Sequence, residues 1–365
     1  MKRSITIYGK TFIIRHLILA VLFLFVCLVQ VIPQWGMFYS QNIYPRIASV
    51  LSSFSDLFPF AVGDLFIALS LIGIIVYPIY AHRILKKKWK NIWLNDLEYI
   101  IWIYVWFYMA WGLNYSRPNF FQRTGIVYVS YTPSDFQDFV NDYIEKLNSA
   151  YTETNAVGKG LVQHEVVNQY NLMADSLAIH RPFHSSPRAK TMLFTPFISM
   201  VGVTGSMGPF FCEFTLNGDL LPLQYPATYA HELAHRLGIS SEAEANFYAY
   251  QVCTRSQEKS IRFSGYFSIL GHVLSNAYRL MPEEDYKKLL NRIRPEIIEA
   301  ARKEQQYWNE KYSPIVGKVQ DWIYDLYLKG NKIKSGRKNY SEVIGLIISY
   351  DKWKDKFNNN SNILK

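Results

Sequence analysis

Residues His231–Tyr250 read HELAHRLGISSEAEANFYAY. Pro226 suits the first turn of a helix and Gly238 the position just past its end, so one helix is expected between them. On that helix His231 and His235 lie one turn apart on the same face, where two imidazoles can share one metal ion. Glu232 beside them can act as general base on a water at that ion. A second helix is expected after Ser241, whose S-x-x-E spacing to Glu244 is that of a capping box. Glu242 then falls in the first turn and shares a face with Ala245, Asn246 and Ala249. Small neighbours let a carboxylate approach the first helix closely, so Glu242 is the expected third ligand. Two histidines and one glutamate leave a fourth zinc position open, as in hydrolytic sites. Asn246, one turn further on, is placed to orient a ligand imidazole. Glu244 lies about 200° around the helix from Glu242 and is expected to serve the cap. Tyr266 and His272 follow the motif and are candidates for stabilising an oxyanion. His164, His180 and His184 read as solvated or core histidines.

The rest of the chain says where this motif is carried. Its 365 residues are half hydrophobic and 16% aromatic, with 27 Tyr, 23 Phe and 9 Trp. That excludes a disordered or collagen-like chain and fits a protein partly at a bilayer. The formal charge of +10 has a local origin. Lys2, Arg3, Lys10 and Arg15 form one cluster without acids, and Arg83, Lys86, Lys87, Lys88 and Lys90 form another. Without those nine, the 39 basic residues fall to 30 against 29 acidic ones. The excess flanks apolar segments and does not form a nucleic-acid-binding surface.

Three membrane spans are expected in a 1–113 anchor. The first is Leu17–Gly36, twenty residues without a charge, long enough for a hydrocarbon core of about 30 Å. No small-x-small cleavage site follows, so it reads as an uncleaved anchor with Trp35 at the interface. The second runs from Ala61 to Ala81, with Asp64 near its start. The third, near 97–113, is short and strongly aromatic, and needs Trp93 and Leu94 to reach across. Both basic clusters should stay cytoplasmic. Three spans then put the remainder, 114–365, on the outer face of a bacterial cytoplasmic membrane.

In that outer domain 134–150 and 160–178 read as amphipathic helices, and Thr191–Phe194 and Phe210–Leu216 as strands. Alternation of Phe210, Cys212, Phe214 and Leu216 with Phe211, Glu213 and Thr215 suggests a half-buried strand, either interior or open to an extended peptide. Gly202, Gly205 and Gly208 make the preceding loop pliable. From Pro226 onward the pattern is helical, including 283–309, 317–328 and 340–356. The expected class is α+β, mostly helical, with a small sheet. Cys27 lies in the first span, while Cys212 and Cys253 are either a disulfide pair or two buried thiols.

The motif resembles those of the gluzincin zinc peptidases, whose third ligand sits in an E-x-x-A-[DN] helix; here that is Glu242, Ala245 and Asn246. The whole chain resembles a bacterial family of membrane-anchored proteins of unknown function. The matching pieces are WGLNYSR (Trp111–Arg117), GPFFCEFTLN (Gly208–Asn217), HELAHRLGISSEAEANF and RFSGY (Arg262–Tyr266). The resemblance implies a zincin-like domain and a Zn²⁺-dependent metallopeptidase acting on peptide or protein substrates, with Glu242 close behind His235 for a gluzincin. The competing expectation is a non-catalytic membrane sensor or assembly scaffold that keeps the fold. Intramembrane proteolysis is disfavoured because Gln224, Thr228, Arg236 and Ser240 border the motif in place of a twenty-residue apolar run.

Overall fold

Residues 2–153, 156–318 and 340–363 are described by the structure, a computed structural model. They group into two compact units. The first comprises Met1–Pro118 together with Gly208–Glu213, and the second Asn119–Met207 with Phe214–Lys365.

In the first unit α1 (Lys2–Val31) is followed by α2 (Pro33–Phe38), a π-helical turn and α3 (Tyr44–Ser55). The break falls at Ile32, which is extended at φ −102° and ψ 106°. A residue before proline is pushed out of the helical region, so the first apolar helix ends at Val31, before the expected Gly36. α4 spans Val62–Arg83 and α5 Trp89–Ala110. Among the described residues two helical stretches, Phe12–Val31 and Val62–Arg83, are long and apolar enough to cross a membrane. The expected third, α5, does not meet that measure: it matches α4 in length but carries Lys90, Asp96 and Glu98. α5 packs against both α1 and α4. Its polar groups turn to these neighbours, with Glu98 2.7 Å from Arg15, Tyr99 2.9 Å from Ser70 and Asn95 2.6 Å from Tyr77.

Residues 208–213 belong with these helices, although alternation had joined them to a long strand. The Phe210 ring lies 4.9 Å from Phe66, and its carbonyl accepts from Trp106 Nε1 at 3.0 Å. Cys212 has φ +47°, a left-handed conformation that ends an extended run. The strand proper is only Glu213–Leu216.

The second unit opens with α6 (Phe120–Thr124), α7 (Pro133–Ala150) and α8 (Lys159–Met173). Thr132 and Asp135 close a capping box at the start of α7. A three-stranded sheet follows, built from β1 (Ala189–Thr191), β2 (Gly205–Gly208) and β3 (Glu213–Leu216), with the short α9 (Thr195–Ser199) between β1 and β2. The order is β1-β3-β2. β1 runs parallel to β3, with Ala189 opposite Phe214 and Thr191 opposite Leu216. β3 is therefore the interior strand and fully buried, so no peptide can add to it. The glycine-rich segment read as a pliable loop supplies the outer strand β2.

Helices complete the unit: α10 (Tyr225–Arg236), α11 (Glu242–Thr254), α12 (Lys259–Ser268), α13 (Leu270–Leu280), α14 (Glu283–Arg292), α15 (Pro295–Lys311) and α16 (Tyr340–Ile363). The expected 283–309 helix is thus two, divided before Pro295. Most of the helix expected over 317–328 lies outside the described residues. The core gathers Phe120, Phe136, Tyr170, Phe214, Phe247 and Phe263 around α10 and α11. The chain is mostly helical with one small sheet.

Candidate metal centre

α10 and α11 are joined by a reversal that local sequence dictates. Gly238 adopts φ +86° past the end of α10, and Ile239 N returns to Ala234 O at 3.1 Å, a glycine-terminated helix end. Ser241 then caps α11, its hydroxyl accepting from Glu244 N at 3.3 Å. Buried Ala230, Ala234, Ala245 and Ala249 keep side-chain bulk between the helices small. Tyr170 of α8 fixes α10 by donating to Ala230 O at 2.7 Å, and Tyr229 of α10 donates outward to Pro187 O at 2.6 Å.

This packing brings His231, His235 and Glu242 together, with one ligand atom from each lying within 4.8 Å of the others. His235 Nδ1 is 2.7 Å from the Ile239 carbonyl, which can only accept. His231 Nδ1 is 2.9 Å from Asn246 Oδ1. Both Nδ1 atoms therefore act as donors, which turns the two Nε2 atoms towards the centre, where they face each other at 3.0 Å. Two ring nitrogens that close repel unless a positive charge, a proton or a metal ion, lies between them. Glu242 Oε2 completes the cluster, 3.2 Å from His231 Nε2 and 3.6 Å from His235 Nε2. Burial works against charge on His235, but the facing Glu242, aided by Glu232, raises its pKa to about 9. Desolvation opposes the Glu242 charge too, yet His235 and His231 hold that carboxyl well below the usual range. The point where the three side chains meet favours positive charge, and two imidazoles with one carboxylate are a fitting donor set for a divalent ion.

Glu232 lies behind this point, 4% exposed. Its Oε2 has no hydrogen-bond partner among the described residues. Burial raises its pKa, against the lowering pull of His231 and His235. Gly205 of β2 stands against its side chain, a neighbour not anticipated in the sequence. The signal was the glycine itself, in a segment that a loop reading did not resolve into a strand.

Glu244 departs from expectation. Its backbone N–H takes the cap, but its carboxylate turns away from Ser241 and accepts from Arg123 at 2.7 Å and from Phe120 N at 2.8 Å. Of the two oxyanion candidates, Tyr266 sits with Tyr143 and Tyr250, whereas His272 is close enough to His231 for that ring's charge to lower its pKa, after burial. His164 is exposed beside Glu165, and the His180 ring lies tilted 6.2 Å from Phe183. Cys212 and Cys253 are not bonded to each other: both are buried thiols, next to Ala110 O and Pro226 O respectively.

Residues 39–348 match a family described as "Protein of unknown function (DUF3810)". The chain belongs to this family. The match takes in the two-helix centre and all of β1 to β3, and begins after the first apolar helix. No match is found among curated proteins or solved structures.

Proposed function

We propose that this protein is a membrane-anchored, zinc-dependent hydrolase of peptide bonds. The observation that carries the reading is the convergence of His231 Nε2, His235 Nε2 and Glu242 Oε2 beside the buried carboxylate of Glu232. A zinc ion held there would polarise a scissile carbonyl and lower the pKa of its water towards about 7. Glu232 takes the proton from the attacking water and passes it to the leaving amine. Asn246 and the Ile239 carbonyl fix the ligand imidazoles by their Nδ1–H groups. β2, the outer strand, offers backbone groups beside Glu232 to an extended peptide. A sensor or scaffold has no use for Glu232 buried at this point.

α5 serves as a third crossing in this reading. From Trp93 to Ala110 it extends about 27 Å, and Glu98 pairs with Arg15 inside the helix cluster. With both basic clusters cytoplasmic, the centre faces the outside of the cell.

The test is metal analysis of the full chain in detergent. About one zinc per chain is expected, lost in His231→Ala or His235→Ala because a three-ligand site has no spare donor. Glu232→Gln should keep the zinc and lower hydrolysis of labelled casein by about 100-fold or more. Zinc retained by the double histidine variant ends the proposal.

A further inference from the structure

Two glycines before β3 are required for different reasons. Gly202 has φ +72°, where a side chain is strained. Gly205 has no such conformation, so its backbone would accept any residue. What excludes one is Glu232. A methyl group at Gly205 would fall on Glu232 Oε1 and come within 2.6 Å of Cγ and 2.8 Å of Cδ. Real Cβ atoms do not approach other atoms so closely, and something must move.

Neither backbone can readily yield. β2 is tied to β3 and its following turn on both sides of Gly205. Asn217 N donates to Thr204 O at 2.9 Å, Asn217 Nδ2 to Val203 O at 2.8 Å, and Thr215 Oγ1 to Ser206 O at 3.3 Å. α10 is held by Tyr170 and Tyr229. The Glu232 side chain is the movable part, and it has no hydrogen-bonded anchor at Oε2.

We propose that Gly205 is a positioning residue: its bare backbone forms the wall against which the Glu232 carboxylate is seated beside His231 and His235. This rests on the hydrolase reading for its purpose, but the contact itself can be tested without a substrate. Wild type, Gly205→Ala, Glu232→Ala and the double variant are purified as full chains, stripped of metal and loaded with Co²⁺. The pH midpoint of the cobalt visible spectrum and the thermal unfolding midpoint are read for each.

Removing a carboxylate that interacts with both ligand imidazoles should move the spectral midpoint by about one pH unit or more. Gly205→Ala should bind cobalt in the same stoichiometry and move the midpoint in the same direction as Glu232→Ala. The double variant should move it no further. Gly205→Ala should also lower the unfolding temperature in the wild-type background and leave it unchanged in Glu232→Ala, where the obstacle is gone. If Gly205→Ala alone does not fold, recovery of folding in the double variant supports the same contact. A wild-type spectral midpoint in Gly205→Ala, or an equal loss of stability in both backgrounds, overturns the proposal. Failure of the wild type to take up cobalt overturns the metal reading instead, and the stability comparison still decides the Gly205 contact.

Discussion

Arg123 Nη2 lies 2.7 Å from Glu244 Oε2, with both side chains under a tenth exposed. Glu244 is two positions from Glu242 on α11, yet the two acids do different work. One closes a buried ion pair with α6, while the other meets two histidines at the site.

Removing Glu244 leaves Arg123 buried without its carboxylate. Glu244→Ala should therefore cost about 3–5 kcal/mol of stability, well above the loss of a helix cap that its sequence position suggests. Glu242→Ala, with a half-exposed side chain, should leave the metal-free protein nearly as stable as wild type and abolish metal binding. Denaturant unfolding of the metal-free variants, paired with zinc analysis, separates the two. Zinc surviving Glu242→Ala but lost in Glu244→Ala would reverse the assignment.

Asn246 holds the His231 ring by its Nδ1–H. Asn246→Ala should weaken metal affinity by about 10–100-fold while leaving the stoichiometry at saturation intact. Competition against a chelator of known affinity measures this, and an unchanged constant would remove Asn246 from the site.

Glu304 on α15 is largely buried beside Gln224, the residue before α10, and its Oε2 has no partner among the described residues. Burial raises its pKa from 4.5 to about 7, against a hydrogen bond to Gln224. The folded state thus holds this proton more tightly than the unfolded chain. Stability should fall as pH rises through that interval, by about 3 kcal/mol, and level off above about 7. Glu304→Gln should flatten the profile and be the more stable protein at pH 8. Identical slopes for the two proteins would show that Glu304 does not set this dependence.

The topology predicts a reporter fused after Lys90 to be cytoplasmic and one at the C-terminus to be outside. A cytoplasmic C-terminal reporter removes α5 as a crossing and moves the centre to the other side of the membrane.

What the sequence could convey follows the range of the interactions. His231, His235, Glu242 and Asn246 lie within sixteen residues, on two helices whose ends are marked by Pro226, Gly238 and Ser241, so helical periodicity alone brings them to one point. Arg123 and Glu244 are 121 positions apart, and nothing local in either announces the pair. β2 reads as a loop because its strand character comes from pairing with β3, not from the propensity of Gly-Ser-Met-Gly. The alternation at 210–216 was real but misleading, since Phe211 and Phe210 pack against Phe54 of α3 and Phe66 of α4 rather than along a strand. The aromatic α5 shows a related limit: hydropathy scores each side chain alone, while the partners of Glu98 and Asn95 come from α1 and α4.

The three ligands come from a single helical hairpin, whose alanine seam and tyrosine anchors are independent of any ion. In a zinc finger the metal must arrive before the chain can fold, because it substitutes for a core. On the zinc reading the order is reversed: the hairpin is set by its own packing, and an ion would be the last component added. Such a protein can be inserted and folded empty, then loaded from whatever metal supply exists where the domain resides. Its activity would follow that supply, while its abundance would not.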